Sequence, residues 1–153
     1  FPKLNCYSCE INKRYYDIAC KELNGLSNLT YVNIESPTAL YNIQLNYDKE
    51  LFSKKVCFWL DAHAGASKYA RGDCDVPLLK ELDVISNHHI KNHIIAIDDA
   101  HMFGTQQLDS NGNITCDYSE VPYELVKDKI KNINQNYDVG IYKPYEMEMV
   151  LAI

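Results

Sequence analysis

The chain has 153 residues, which is enough for one domain with a hydrophobic core of ordinary size. Its formal net charge is −6 and its sequence pI is about 5.3. This balance argues against a nucleic-acid-binding face and against a patch that binds anionic membranes. The apolar runs are far shorter than a membrane span, and no signal-peptide pattern is present. We therefore expect one domain over residues 1–153, with partners that are neither nucleic acid nor membrane.

The six cysteines are spread along the chain without a compact framework. A domain of this size does not need disulfides, so free thiols in a reducing compartment are predicted, and the cytoplasm is favoured. The chain begins with Phe1 rather than methionine, which indicates processing or a fragment. The oligomeric state is not specified by the sequence.

Predicted strands and helices alternate along most of the chain. The strands fall at residues 3–9, 29–34, 56–60 and 94–97, and the helices at 13–23, 36–46, 76–85 and 119–133. Residues 136–143 and 146–153 then form a strand–turn–strand hairpin. This order predicts an α/β fold with a doubly wound, mostly parallel sheet and a C-terminal antiparallel hairpin.

Two helix starts carry recognisable capping residues. Asn12 is placed to cap the first helix, because its side-chain oxygen can accept hydrogen bonds from backbone N–H groups of the first turn. Ser36 is predicted to cap the second helix, with Pro37 in its first turn.

The strongest site hypothesis comes from the strands at 56–60 and 94–97. Both are short apolar runs, and we expect them to be parallel and buried on both faces, with the intervening helix as their crossover. The first run ends at Asp61, and His63 follows two residues later. The second run ends at Asp98–Asp99, and His101 follows two residues after Asp99. Ligands of such sheets bind beyond the carboxyl ends of the strands, where these residues lie.

Carboxylates that converge from two strand ends suit Mg²⁺, so Asp61, Asp98 and Asp99 are candidate metal ligands. His63 is the candidate general base, because histidine titrates near neutral pH, and His101 is an alternative base or substrate contact. Hydrogen bonds to backbone amides and capping of the next segment are the structural alternatives for the three acids.

Three further segments carry weaker expectations. The polar stretch 104–117, with a turn at 109–112, is predicted to pass over the site. The loop 64–75 contains a glycine and basic residues that can close over a substrate, although a mobile surface loop explains it equally well. The histidines in the link before the second apolar run are predicted to be surface residues: His88, His89 and His93.

Together these motifs carry a resemblance to a known family. YSCE, VNIES, FWLDAH and IIAIDDAHMF, followed by a helix and a terminal hairpin, resemble the class I S-adenosylmethionine-dependent methyltransferases. The nearest group is that with FWLD-[AG]-H and I-D-D-A motifs, akin to macrocin-type sugar O-methyltransferases, and the resemblance covers nearly the whole chain. It implies a Rossmann-like fold and S-adenosylmethionine as the cofactor.

The resemblance also implies roles for particular residues. Glu10 would bind the ribose hydroxyls of the cofactor, and Glu35 and Ser36 would contact its adenine. Asp61 would serve the cofactor as well as the metal, and Mg²⁺ would hold hydroxyls of a small-molecule or sugar acceptor and favour O-methylation. His101 stands where the group often has arginine.

One departure from the family concerns its first strand. That strand, its glycine-rich loop and the helix after it have no counterpart in this chain. The strand is central in the family's sheet, so the resemblance implies that the N-terminal strand and helix are missing. Losing a central strand would leave two half-sheets with unpaired edges.

Two other functions remain open at the level of the sequence. The residues Asp61, His63, Asp98, Asp99 and His101 can be read as the cluster of a metal-dependent hydrolase. Alternatively, the chain is a non-catalytic, methyltransferase-like binding module. The sequence does not identify a methyl acceptor.

Overall fold

The computed structural model describes residues 4–43, 53–64, 72–143 and 148–153. The strands are β1 Cys6–Cys9, β2 Leu29–Val32, β3 Cys57–Leu60, β4 Ile94–Ile97, β5 Gln106–Leu108, β6 Ile114–Asp117, β7 Val139–Tyr142 and β8 Met149–Ala152. The helices are α1 Lys13–Glu22, α2 Ser36–Asn42, α3 Leu78–Ser86 and α4 Tyr123–Ile133, with a 3₁₀ turn at Ala100–Met102. The predicted α/β alternation is therefore confirmed.

The described strands form three separate sheets rather than one. β1 and β2 make a parallel pair, and β5 and β6 make an antiparallel hairpin. The largest sheet has the order β3-β4-β8-β7, in which β3 and β4 are parallel while β8 runs antiparallel to both of its neighbours. The predicted parallel pair and terminal hairpin are confirmed, but a single continuous sheet is not seen in the described residues.

One face of the four-stranded sheet carries the core. Side chains from β3, β4 and β8 pack there against α3 and α4, and the fully buried members include Leu82, Ile85, Ile95, Ile97 and Ile130. Burial of each such side chain stabilises the fold by about 1.5–3 kcal/mol. This core fixes β3 and β4 in register, which in turn sets the positions of the residues that follow them.

The opposite face of β3 is not covered by the described residues. Phe58 and Leu60 are buried, but Cys57 is exposed and Trp59 is 55% exposed. The prediction that β3 is buried on both faces is therefore wrong. Among the described strands β3 lies at the edge of its sheet, and the described helices pack on one of its faces. Side chains alternate between the two faces of a strand.

The two predicted caps differ in outcome. The Asn12 side chain accepts hydrogen bonds from Arg14 N and Tyr15 N, as predicted. Ser36 is instead the first residue of α2, and Glu35 occupies the capping position in extended conformation. The helix begins at residue 36 as predicted, but the predicted capping residue is wrong by one position, which is within the usual uncertainty of a helix end. The predicted continuation of α2 to residue 46 lies outside the described residues.

The link before β4 holds a buried histidine pair. His88 is 4% exposed and His93 is fully buried, so the prediction that both are surface residues is wrong, and only His89 is exposed. Val56 N donates to His93 Nδ1 at 3.2 Å, and His93 Nε2 lies 3.0 Å from His88 Nδ1. Burial, helped by the neighbouring His88, lowers the pKa of His93 to about 4. His93 is therefore neutral near neutral pH, and its hydrogen bonds to Val56 N and to His88 tie the start of β3 to the link.

The polar stretch after the 3₁₀ turn is a hairpin rather than an irregular excursion. β5 and β6 pair through a turn in which Asp109 Oδ1 accepts from Asn111 N and Asn113 N. Every residue of β5 is exposed, so no alternation of polar and apolar residues marked it in the sequence.

No helix in the described parts of the chain is long and apolar enough to cross a membrane.

Candidate functional site

The carboxyl ends of β3 and β4 lie side by side. Leu60 pairs with Ile97 in the parallel register, and Asp98 N donates to Leu60 O at 3.0 Å. Asp61 and Asp98 consequently leave the sheet at the same edge. The convergence predicted from the two apolar runs is present in the structure.

A cluster of three side chains forms just beyond this edge. Ligand atoms of Asp61, His63 and Asp99 all lie within 4.8 Å of one another. His63 Nε2 is 3.2 Å from Asp99 Oδ2, and His101 Nδ1 is 4.0 Å from Asp99 Oδ1. Both His63 and Asp99 are about one-third exposed, so a ligand can reach them. We call Asp61, His63 and Asp99 the Asp–His–Asp cluster.

Asp98 makes a local hydrogen bond beside the Asp–His–Asp cluster. Its Oδ1 accepts a hydrogen bond from Asp99 N at 2.8 Å, so this carboxylate is turned toward the backbone. Asp99 itself has φ of 55°, a left-handed conformation that is costly for a residue with a Cβ. In this backbone conformation the Asp99 carboxylate lies next to the His63 ring. The structure therefore brings Asp61 and Asp99 together with His63. The role of Asp98 as a metal ligand stays a prediction, because its hydrogen bond to Asp99 N uses one of its two carboxylate oxygens.

The electrostatics of Asp61 reflect this crowding. Burial raises the pKa of Asp61, and the Asp98 carboxylate raises it further, while His63 acts in the opposite direction. The indole N–H of Trp59 donates a hydrogen bond to the Asp61 carboxyl group and also favours its charged form. A cation bound beside Asp61 would relieve the repulsion between these acids.

The β5–β6 hairpin and the segment after it close one side of the cluster. Tyr118 is 4% exposed, and it packs with Ala64 and Cys116. Its ring centroid lies 6.1 Å from that of His63. Burial and the nearby Asp99 carboxylate raise the pKa of Tyr118, so its hydroxyl stays protonated near the cluster.

A large cleft opens beside the Asp–His–Asp cluster, with a volume of about 1140 Å³. Residues of β1 and of β3 both line it, although these two strands do not pair with each other. The four residues assigned to cofactor binding all line this cleft: Glu10, Glu35, Ser36 and Asp61. The structure thus brings them to one cavity, while Asp99 and His101 lie at its margin beside His63.

The two cleft glutamates that were predicted to bind the cofactor already make local hydrogen bonds. Glu10 Oε1 accepts from Asn12 N at 2.7 Å, and Glu35 Oε1 accepts from Thr38 Oγ1 at 2.8 Å. These bonds hold each carboxylate at the start of a helix, α1 or α2. Local capping and ligand contact are compatible, because each bond uses one of two carboxylate oxygens.

Sequence reasoning missed Glu81, a buried acid that lines the same cleft. It lies in the first turn of α3 and is only 1% exposed. The signal was available, because Glu81 falls at helical spacing among Leu78, Leu82 and Ile85 on the apolar face of the helix. Burial raises the pKa of Glu81 to about 7, against the opposing effect of a hydrogen bond with Ser36.

Comparisons with known proteins give limited information about this chain. No protein-family model matches it, and no curated protein sequence matches it significantly. Among solved structures, it is similar to SMU.1697c, a candidate methyltransferase from Streptococcus mutans that was crystallised in complex with SAH. The two chains share 13% sequence identity with a TM-score of 0.47, over 96% of this chain and 75% of that one.

Proposed function

We propose that this protein is an S-adenosylmethionine-dependent methyltransferase that methylates a hydroxyl oxygen of a small molecule or sugar. The observation that carries the proposal is the Asp–His–Asp cluster, which adjoins a cleft lined by Glu10, Glu35 and Ser36. A group that can take a proton thereby lies next to a cavity of the size that cofactors occupy.

The lining of the cleft includes the carboxylates of Glu10, Glu35 and Asp61 as well as Lys54, Lys55 and Lys80. The carboxylate of Asp61 also belongs to the Asp–His–Asp cluster, so negative charge is concentrated where the cleft meets the cluster. Such a surface favours a ligand that carries positive charge, and the sulfonium and amino groups of S-adenosylmethionine provide it. Glu10 would bind the ribose hydroxyls, and Glu35 and Ser36 would lie at the adenine.

The strand arrangement also supports the resemblance. The family's first strand would lie between the strands that correspond to β1 and β3, and residues of both strands line the cleft. A strand that paired with both β1 and β3 would join the two parallel pairs into one Rossmann-like sheet. That the chain lacks such a strand remains our prediction.

His63 is the proposed general base. Its Nε2 faces Asp99 Oδ2, while Nδ1 lies 3.1 Å from Ala64 O. The Ala64 carbonyl can accept a hydrogen bond from Nδ1–H, which leaves Nε2 as the acceptor nitrogen. In our proposal the hydroxyl of the methyl acceptor takes the place of Asp99 at Nε2 and gives its proton to that nitrogen, while the adjacent Asp99 carboxylate stabilises the positive charge of the imidazolium. His101, which is 53% exposed, is placed to contact the acceptor or to replace His63 as base.

The donor set also fits a divalent cation. Asp61 and Asp99 offer carboxylate oxygens of the kind that Mg²⁺ prefers, and His63 adds a nitrogen that Mn²⁺ or Zn²⁺ accepts more readily. When bound, S-adenosylmethionine supplies an electrophilic methyl group, and a metal ion would favour loss of the hydroxyl proton. In our proposal Asp61 and Asp99 hold the ion, while Asp98 supports Asp99 through the backbone.

A metal-dependent hydrolase is the second candidate. The same three ligand atoms favour it, because a three-ligand metal site leaves a position for an activated water. In that case Glu10 and Glu35 would have no part in binding, and the metal alone would stabilise the protein. The third possibility is a binding module without activity, in which neither ligand would bind.

A thermal-shift titration separates these functions. We expect S-adenosylhomocysteine to raise the melting temperature, because a ligand bound only by the folded state stabilises it by about 2.7 kcal/mol at a hundredfold excess over Kd. The Asp61→Asn variant should respond less to both this ligand and Mg²⁺, whereas Asp128→Asn, an exposed acid on α4, should respond as the wild type does.

The outcomes differ clearly among the candidates. A shift with Mg²⁺ or Mn²⁺ but not with S-adenosylhomocysteine would replace the methyltransferase proposal with the hydrolase. Cooperative melting with no shift from either ligand would indicate the binding module. A shift with S-adenosylhomocysteine supports the proposal, and the methyl acceptor can then be sought by transfer assays with sugars and other hydroxylated small molecules.

A further inference from the structure

Glu81 is a buried carboxyl group that the chemistry described above does not use. It lies on the apolar face of α3 with Leu78, Leu82 and Ile85, and only 1% of it is exposed. Acidic side chains are almost never buried to this degree unless they are paired. If this position served only to pack α3 against the core, an apolar residue would stabilise the fold more than glutamate does. The other buried positions of this helix face are indeed apolar.

The hydrogen bonding of Glu81 is incomplete. Its carboxyl group interacts with Ser36 at the start of α2, but Oε2 has no hydrogen-bond partner within the described part of the chain. Buried polar atoms in proteins nearly always have a partner, so an atom without one calls for a ligand or another explanation. No histidine, lysine or arginine forms an ion pair with Glu81 among the described residues.

Glu81 borders the cleft where three elements meet. It lines both the large cleft and a small adjoining cavity that also contacts Asp61. Its charge influences Cys9 at the end of β1, and its own charge is influenced by Asp61 at the end of β3. Glu81 therefore lines the same cleft as Glu10, Glu35 and Ser36.

We propose that Glu81 is a specificity-determining residue that accepts a hydrogen bond from an uncharged amino group on a flat ring of the bound ligand. The inference rests on the proposed function, in which that group is the amino group of adenine. Ser36 fixes one side of the carboxyl group, and the ligand's N–H completes the other.

Two observations favour a neutral amino group over an ammonium ion. Glu81 shares the buried face of α3 with Leu78, Leu82 and Ile85 and forms a hydrogen bond with Ser36, so a full positive charge that paired with it would also have to be buried. Burial is the main reason that the pKa of Glu81 is raised to about 7. Near neutral pH the carboxyl group is therefore protonated in part of the molecules, and it is not a permanent negative charge that would select a cation. Both forms of the carboxyl group retain an acceptor oxygen.

The test compares two nucleosides that differ only in this amino group. Adenosine and purine riboside share the ring and the ribose, but purine riboside has hydrogen in place of the amino group. By isothermal titration calorimetry we expect the wild type to bind adenosine about tenfold more tightly, as one hydrogen bond to a buried acceptor would give. S-adenosylhomocysteine is titrated in parallel as the probe of the proposed function.

Substitutions then assign the preference to Glu81. Glu81→Met, an unbranched apolar replacement of similar length, should abolish the preference for adenosine. Glu81→Gln should retain most of it, because the amide still offers an acceptor oxygen. Glu124→Met changes an exposed glutamate in the first turn of α4, and it should leave both affinities unchanged.

The two proposals fail in different ways. If S-adenosylhomocysteine binds but the wild type does not distinguish the two nucleosides, the role of Glu81 is overturned while the methyltransferase proposal stands. The same conclusion follows if Glu81→Met keeps the wild-type preference. If neither S-adenosylhomocysteine nor adenosine binds to the wild type, both proposals are overturned. The wild-type comparison decides the matter even if the methionine variant does not fold.

Discussion

The two ends of the β3–β4 pair carry polar clusters of opposite character. At the amino end, His88 and His93 are buried, and both ring nitrogens of His93 and Nδ1 of His88 form hydrogen bonds with each other and with backbone N–H groups. At the carboxyl end, the Asp–His–Asp cluster is open to solvent, brings two acids close together and contains a strained residue, Asp99. One end of the strand pair therefore carries a buried polar cluster that stabilises the fold. The other end carries an exposed polar cluster with the features of a ligand-binding site.

The difference shows how to interpret histidines in an unfamiliar protein. Satisfied hydrogen bonds and full burial indicate a structural role, whereas exposure, like charges and backbone strain indicate a site. Glu81 combines the two patterns, because it is as buried as His93 but incompletely bonded. If the contrast is correct, substitutions at the carboxyl end should alter function, and substitutions at the amino end should alter stability.

The largest expected effect is that of His63→Gln on catalysis. Loss of a general base should lower the rate of methyl transfer about 10²- to 10⁴-fold, while the melting temperature changes little because His63 is partly exposed. The assay is the rate of S-adenosylhomocysteine release with an identified acceptor. A rate that stays near the wild-type value would exclude His63 as base and direct attention to His101.

The next effect is the loss of stability in His93→Ala. This substitution leaves a cavity against Phe58, whose ring centroid is 5.1 Å from that of His93, and removes the partner of Val56 N. We expect the free energy of unfolding to fall by about 2–4 kcal/mol, as measured by urea denaturation. His89→Ala, at the exposed neighbour, should cost less than about 0.5 kcal/mol. Equal costs for the two variants would contradict the structural role of the buried pair.

The smallest expected effect is on the pH dependence of folding stability, to which His93 and Glu81 contribute in opposite directions. His93 is neutral in the fold with a pKa of about 4 against 6.5, so its contribution to stability is lost as the pH falls from about 6.5 to 4. Glu81 has a pKa of about 7 against 4.5, so its contribution is present at low pH and is lost as the pH rises from about 4.5 to 7. Each amounts to about 3 kcal/mol at most.

Wild-type stability should therefore vary less with pH than that of Glu81→Gln. Urea denaturation across this range should show the glutamine variant losing stability toward acid, because only the histidine effect remains. The difference between the two proteins should grow as the pH falls from about 7. Parallel curves would show that Glu81 does not titrate with a raised pKa in the folded protein.

The sequence was sufficient to predict the centre of the site. The apolar runs that became β3 and β4 stop at Asp61 and Asp98, and parallel pairing brings their ends together without any further information. The helix between them follows from its periodic leucines and isoleucines. These features are local or depend on one simple pairing, which explains why they could be predicted.

Other features depend on which surfaces pack together, and no local pattern contains that information. The burial of His88 and His93 results from the covering of the link by the core around Phe58 and Tyr137. The approach of His63 to Asp99 is a contact between the segment after β3 and the segment after β4. The hairpin β5–β6 has exposed polar strands, so its sequence resembles a loop.

The exposed face of β3 has one practical consequence. Trp59 is the chain's single tryptophan, it lines the cleft, and its indole N–H donates to Asp61. Emission excited selectively from tryptophan therefore originates at one place, beside the carboxylate that the metal and the cofactor would approach. The protein thus carries its own optical reporter, and a change in fluorescence on adding a ligand would locate the binding event without any label.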